Sequence, residues 1–188
     1  EFLVPGIARR TGLINDFKDG RISEDVLPQD VLTVLLRNED SLNLPHQVIL
    51  REVAFYLLAG AHTSATAFTR TMHHIFQWLE NNPEHQEKLM SPGFIQRCVH
   101  ETIRLQPSNP VSERWAEKDI QLASGLTVGK GSWVVLDLIQ INRDRSIFGD
   151  DAEEFNPERV LPPSVAEHGL SFGLGMHACI GKELAAGV

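Results

Sequence analysis

The sequence predicts a mainly α-helical fold with small β-sheets, and three observations carry the prediction. Apolar residues recur at three- and four-residue spacing through most of the chain as far as Gln106, the period of an amphipathic helix. Period-two alternation enters only past Pro110 and ends near Leu136, which leaves room for a few short strands. The composition, 42% hydrophobic and 22% charged, is that of an ordinary globular protein. Disorder, a collagen-like fibre and a disulfide scaffold are thereby set aside.

The 188 residues suffice for one large domain or two small ones. Against 25 Asp and Glu stand 17 Lys and Arg, a net charge of −8. Such a charge repels nucleic acid and anionic lipid, so neither is expected as a partner. The two cysteines, Cys98 and Cys179, lie too far apart for a zinc knuckle or a CxxC pair. No basic region precedes an apolar core at the start, Glu1 to Pro5, so no targeting signal is expected. The longest uncharged stretch, Val53 to Thr69, is interrupted by Thr, Ser, His and Gly, too polar for a membrane segment.

Taken in order, the first forty or so residues read as short helices joined by polar turns such as Lys18-Asp19-Gly20. Asp30 to Asn38 sets Val31, Leu32, Leu35 and Leu36 on one face of a packing helix. A long helix follows over about 44–81, with Asn43 placed to cap it, Pro45 in the first turn and Asn81-Asn82-Pro83 as the stop. At a rise of about 1.5 Å per residue such a helix spans about 55 Å. A compact chain of this size has a diameter of only about 40 Å. Its middle, AFYLLAGA (Ala54–Ala61), is apolar on every side and therefore expects burial all round. A dimer core or a piece of a larger protein would explain both features; the piece is favoured.

Pro83 to Met90 reads as a short helix, and another runs over about 94–106 to its stop at Pro107. The β part, about 119–136, holds a hairpin with the two-residue turn Ser124-Gly125 and a strand Ser132–Leu136. Asn142 to Ala166 is charged, proline-bearing and irregular, and a Gly-rich loop around Cys179 follows, about 142–182 in all.

Taken singly, the chemical motifs have bland explanations. Gly173-x-Gly175-x-x-Ala178 fits a dinucleotide pattern but lacks a βαβ unit and a later acidic residue. A loop needed only for its backbone geometry is the ordinary reading. His100-Glu101-Thr102-Ile103-Arg104 lacks the second His of a zinc-protease motif. Glu101 and Arg104 lie i, i+3 on one helix face, where an exposed pair adds only ~0.2–0.5 kcal/mol and a buried one can fix a core geometry. Gly60, followed by Thr63 and Ser64, marks either a helix-packing notch or a distortion beside a ligand.

Together and in this order, the motifs are specific. Ala59–Ser64 (AGAHTS) resembles the A-G-x-D/E-T oxygen-binding helix motif of the cytochromes P450, and Glu101–Arg104 (ETIR) their E-x-x-R. Phe155–Val160 (FNPERV) is similar to the segment supplying a second Arg. Phe172–Gly181 (FGLGMHACIG) is similar to the F-x-x-G-x-H/R-x-C-x-G haem loop, and Asn142–Asp144 (NRD) to the bacterial type. The resemblance runs from about Asp30 to the end, and implies a partial cytochrome P450 fold: the C-terminal part of one domain, without the N-terminal half and the extreme C-terminus.

The resemblance further implies haem b as cofactor with Cys179 as its thiolate ligand. Phe172, Gly173, Gly175 and Gly181 would shape the loop, and His177 and Arg114 would bind the propionates. Glu101, Arg104 and Arg159 would form a structural triad. Gly60 would open the helix where O2 binds, and Thr63 would help deliver protons. His62 occupies the acidic position, a departure from the family, though an imidazole can also relay protons. Val160, where Phe is common, is a milder departure. Ala59 and Val111 fall where substrate is contacted, which suggests a small apolar substrate. The implied activity is insertion of one atom of O2, with NAD(P)H electrons arriving through a ferredoxin or flavoprotein reductase. A soluble, cytoplasmic bacterial type is favoured, and an anchor on the absent N-terminal part would be compatible. The alternatives are an incompetent fragment or helical interaction module that binds no haem on its own, and a dimeric helical binding protein.

Overall fold

The computed structural model describes residues 3–186; residues 1 and 2 of the start read above lie outside the described residues. The chain divides into two compact units, one reaching His62 and the other beginning at Thr63.

In the first unit, α1 (Leu3–Lys18) is one helix of 16 residues where the sequence pattern suggested shorter pieces. Pro5 lies in its first turn, where a missing N–H costs nothing, and Ile7 and Ile14, both 3% exposed, share one buried face. The helix ends through Gly20 at φ +72°. There Gly20 N donates to Phe17 O and Arg21 N to Asp16 O, the paired bonds of a left-handed C-terminus. Asp30 caps α2 (Val31–Arg37) by accepting from Thr33 N at 2.8 Å. Ile7, Ile14, Leu27, Leu36 and Ile49 form the core, flanked by Leu32, Leu35, Leu50 and Val53.

The long helix, α3, runs His46–Asn81. Asn43 does not cap it. With φ +49°, its N–H donates back to Asp40 O and Leu44 N to Glu39 O, so Asn43 closes the preceding turn. The first bonds of α3 are accepted instead by Pro45 O, from Val48 N and Ile49 N. The apolar middle expected to be buried is open: Phe55, Leu57 and Leu58 are 60%, 64% and 70% exposed. The reason is where the cores take hold. The first unit's core uses Ile49, Leu50 and Val53 and the second unit's uses Ile75, Trp78 and Leu79, so the residues between them enter neither.

In the second unit, a 3-10 helix (Pro83–Met90) leads to α4 (Pro92–Leu105). Ile75, Phe94 and Cys98 are the core, with Trp78, Leu89 and Phe155 around it. Burial pushes the Cys98 thiol up to about 12, so this cysteine is packing material. The strand β1 (Val111–Trp115) pairs antiparallel with β4 (Trp133–Asp137), with Val111 opposite Asp137 and Trp115 opposite Trp133. Between them β2 (Ile120–Gln121) and β3 (Thr127–Val128) form a hairpin. Its loop has three residues, not the two expected. Gly125 N donates to Leu122 O and Leu122 N to Leu126 O, and Gly125 at φ +84° takes the left-handed position after the turn. Two one-turn helices, α5 (Leu138–Ile141) and α6 (Arg145–Phe148), precede an irregular segment, and α7 (Lys182–Ala186) follows the Cys179 loop. Among the described residues, no helix is long and apolar enough to cross a membrane.

Candidate functional site

Helix α4 becomes wholly buried over its last turn, from Glu101 to Leu105, and this turn carries the site's framework. Glu101 and Arg104, 4% and 0% exposed, meet as a two-pronged pair, Nε to Oε2 and Nη2 to Oε1, both 2.7 Å. This geometry matches a planar guanidinium to a carboxylate. Arg159 adds its Nη2 and Nε to Glu101 Oε1 at 3.1 and 3.2 Å. Asn156 N donates to the same oxygen at 3.1 Å.

The remaining guanidinium donors are also used. Arg104 reaches the carbonyls of Asn142 (2.6 Å), Ala152 (2.7 Å) and Glu154 (3.3 Å), and its plane lies 4.8 Å over the Phe148 ring. Arg159 bonds Asp151 Oδ1 at 2.5 Å and the carbonyl of Phe148. The Asn156 amide and the Arg159 guanidinium hold the Asp151 carboxyl below its usual range. Two cations are thus desolvated around one carboxylate, and backbone carbonyls of the irregular segment satisfy what the carboxylate does not. Removing one partner of such a buried cluster costs about 3–5 kcal/mol. The segment 149–159 has no regular structure of its own, and these arginines are what give it a shape.

The Cys179 loop follows from local hydrogen bonding. Cys179 N donates to Phe172 O at 2.7 Å, Gly173 N to Leu170 O at 2.9 Å and Ala178 N to Gly175 O at 3.1 Å. Gly173 and Gly175 sit at φ +68° and +70°, the left-handed region in which a side chain is strained. A Cβ on Gly181 would stand 3.9 Å from Cys179 Sγ. Unlike Cys98, Cys179 is exposed. Leu174, Met176, Ile180 and Leu184, between 73% and 92% exposed, surround it in sequence. An accessible thiol on a glycine-shaped loop with apolar neighbours is a donor set that would suit a flat, largely apolar macrocycle whose metal takes a sulfur ligand. Among the described residues no cluster of three or more His, Cys, Asp or Glu is placed to hold a bare metal ion, and single-sulfur ligation needs none.

The other sequence-derived candidates lie as follows. His177 is exposed in the 3-10 turn Gly175–His177 of the same loop. Arg114 is exposed on β1 and its Nη1 is engaged locally, with Ser112 Oγ at 2.8 Å and Glu113 O at 2.7 Å; Val111 opens the same strand. Ala59, Gly60, His62 and Thr63 fall within little more than one turn of α3. A Cβ on Gly60 would meet nothing within 4 Å, so the described residues form no packing notch there. Thr63 O accepts from Ser108 Oγ at 3.3 Å. Hydrogen bonds therefore bind Glu101, Arg104 and Arg159 into one cluster and shape the Cys179 loop.

Sequence reasoning missed several members of the framework: Asp151, Ser171 and His168, whose ring packs edge-on against Phe172 at 4.8 Å. Asn142 and Asn156 were noted only as parts of motifs. The signal available for these was the run of Asp, Asn and Pro in a stretch without periodicity, a mark of side chain-to-backbone bonding.

The family model for cytochrome P450 matches residues 93–186. A bifunctional cytochrome P450/NADPH–P450 reductase of Bacillus subtilis is 26% identical, across 92% of this chain and 19% of that protein. Cytokinin hydroxylase of Arabidopsis thaliana is 30% identical, across 83% and 34%. Among solved structures, CalO2 superposes with a TM-score of 0.69 at 25% identity, over 96% of this chain and 42% of the other. P450BioI, in complex with an acyl carrier protein bearing hexadec-9Z-enoic acid, gives 0.68 at 29% identity, over 97% and 43%. The chain spans between a fifth and two fifths of the length of the curated relatives it matches first.

Proposed function

The chain belongs to the cytochrome P450 family, and on that membership we propose that it acts as a haem-thiolate monooxygenase, inserting one atom of O2 into a small apolar organic substrate. The observation that carries this reading is the exposed Cys179 on a loop held by left-handed glycines and closed by the bond from Cys179 N to Phe172 O. When bound, haem b supplies an iron centre that activates O2 with electrons from NAD(P)H.

The chain's own residues do the rest. Cys179 would hold the iron through its sulfur, and Phe172, Gly173, Gly175 and Gly181 set the height of that sulfur above the loop. His177 and Arg114 are donors suited to the two carboxylates of the macrocycle. For Arg114 this requires exchange of its present bonds to Ser112 and Glu113. Gly60 leaves α3 without a side chain where O2 would lie, Thr63 offers a hydroxyl as proton donor, and His62 offers an imidazole that can donate and accept hydrogen bonds next in sequence. Ala59 and Val111 present small apolar surfaces to the substrate. Glu101, Arg104 and Arg159 hold the chain that carries the loop.

A ferredoxin or flavoprotein reductase would deliver the electrons; the Bacillus subtilis relative carries its reductase in the same chain. Cytoplasmic location is the matching proposal, since His177 and Asn142–Asp144 resemble the bacterial type. The chain supplies the portion of such a domain from the oxygen-binding helix to the Cys loop. A second reading, a helical interaction module without haem, is favoured by one observation, the exposed Phe55, Leu57 and Leu58.

The deciding experiment loads the full chain with haem, reduces it and adds carbon monoxide. Thiolate ligation gives a strongly red-shifted Soret band, and Cys179→Ser is expected to abolish it. A band that survives the substitution overturns the assignment, and failure of the chain to take up haem favours the interaction module.

A further inference from the structure

We propose that Asn142 is the positioning residue that locks the Cys179 loop to the Glu101–Arg104 pair, with Gly169 and Ser171 as its counterparts on the loop side; the purpose of this lock rests on the reading of Cys179 as haem ligand. Asn142 caps the C-terminus of α5 and is fully buried, at 0% exposure. A buried amide with an unmade bond is costly, and here every group is used. Its carbonyl accepts from Arg104 Nη1 at 2.6 Å. Its Nδ2 donates to Arg104 O at 3.0 Å and to Ser171 Oγ at 2.8 Å. Its Oδ1 accepts from Leu170 N at 2.8 Å.

Ser171 completes the circuit by donating its hydroxyl to Ile103 O at 2.8 Å. One side chain therefore grips the backbone of α4 at Arg104 and the entrance of the loop at Leu170 and Ser171. Only an amide does this at that size: Asp lacks the donors, Leu lacks both functions, and Gln is longer by a methylene.

Gly169 shows that the fit is tight. It sits at φ +59°, and a Cβ built there would stand 2.3 Å from Asn142 Oδ1, so any larger residue expels the amide. From the gripped residues the path to the sulfur is short. The next residue, Phe172, accepts the bond from Cys179 N at 2.7 Å. The order Glu101, Arg104, Asn142, Leu170–Phe172, Cys179 is thus a continuous run of hydrogen bonds and adjacent peptides within one unit. The guanidinium fixes the position of Asn142, and Asn142 fixes the height of the loop.

The test compares Asn142→Leu, Ser171→Ala and Gly169→Ala with Ile75→Ala, which weakens the α3–α4 core without touching the network. Without haem, amide exchange at Leu170 is measured relative to Thr102 in the α4 core, so that global opening cancels. Losing a buried hydrogen bond is expected to speed Leu170 by about tenfold or more in Asn142→Leu, and to leave Ile75→Ala unchanged in this ratio. Should Asn142→Leu not fold, Ser171→Ala and Gly169→Ala carry the same measurement. In the haem-loaded, reduced, carbon monoxide-bound full chain, the same variants are expected to lose part of the red-shifted band to an unshifted one. A wild type without that band overturns the reading of Cys179 whatever exchange shows. A wild type with the band, and variants with neither a faster Leu170 nor a band loss beyond Ile75→Ala, overturns the role of Asn142 alone.

Discussion

His62 is the residue at which the chain departs most from the pattern it otherwise matches. A carboxylate at that position accepts hydrogen bonds only, whereas a neutral imidazole both donates and accepts. Beside the Thr63 hydroxyl, the two groups would time proton delivery differently. General acid–base groups contribute ~10²–10⁴ in rate, so exchanging one titratable type for another moves a part of that. His62→Asp in the haem-loaded protein is expected to raise product formed per O2 consumed severalfold, measured as the ratio of product to oxygen uptake. An unchanged ratio argues against a proton role for His62. At this scale the sequence displayed spacing but not surroundings. Glu101 and Arg104 stood out three apart on a helix face, yet an exposed pair and a buried one share that spacing. Only the elements covering them, Phe148 and the carbonyls of Ala152 and Glu154, decide between a few tenths of a kcal/mol and several.

Between residue and fold, the irregular segments are held by polar side chains, and some of these titrate. His168 is 9% exposed, donates from Nδ1 to Gly169 O at 2.9 Å, and packs on Phe172 at the mouth of the Cys179 loop. Burial pushes its imidazole pKa down, and the nearby His100 and Lys182 act in the same direction. His74, stacked on Phe155 at 4.8 Å, is pushed down by burial and by His73. Both therefore bind a proton more readily when unfolded. Their contribution to stability is complete above the unfolded value, about 6.5, and is lost as pH falls below it toward the folded values. The melting temperature is expected to drop over that interval. His168→Gln should reduce the slope, and His74→Gln with His168→Gln should flatten it. A double variant with the wild-type slope would show that other groups carry it. Asp151, held low by Asn156 and Arg159, loses its contribution in a separate, more acidic window below about pH 4. The helices that bring these groups together were legible from apolar period and proline stops. The turn at Asn43 and the three-residue hairpin loop were not, because each is decided by which carbonyl a single N–H finds.

For the molecule as a whole, composition and exposed surface pull in opposite directions. A net charge of −8 keeps copies of the chain apart. Yet Leu58 and Phe68 are 70% and 69% exposed, and Phe55, Leu57 and Phe76 exceed half, far more apolar side chain along one helix than a soluble surface ordinarily shows. The sequence announced this conflict in the length of α3 and its all-round apolar middle, though it pointed to burial and the structure leaves those side chains open. The balance between charge and apolar surface depends on ionic strength. Screening shortens the reach of like-charge repulsion from about 8 Å at 0.15 M salt to about 3 Å at 1 M, while the hydrophobic attraction persists. The 188-residue chain is therefore expected to self-associate progressively as salt rises, read by light scattering or gel filtration. Leu58→Glu with Phe68→Glu removes the two most exposed large apolar side chains of α3 and adds two negative charges with a good helix former. That variant is expected to remain monomeric to higher salt with its helical circular dichroism unchanged, since exposed substitutions of this kind shift stability by only about 0.5 kcal/mol. Association that persists unaltered in the variant would show that α3 is not the surface responsible, and would move attention to Leu174, Met176, Ile180 and Leu184 around the Cys179 loop.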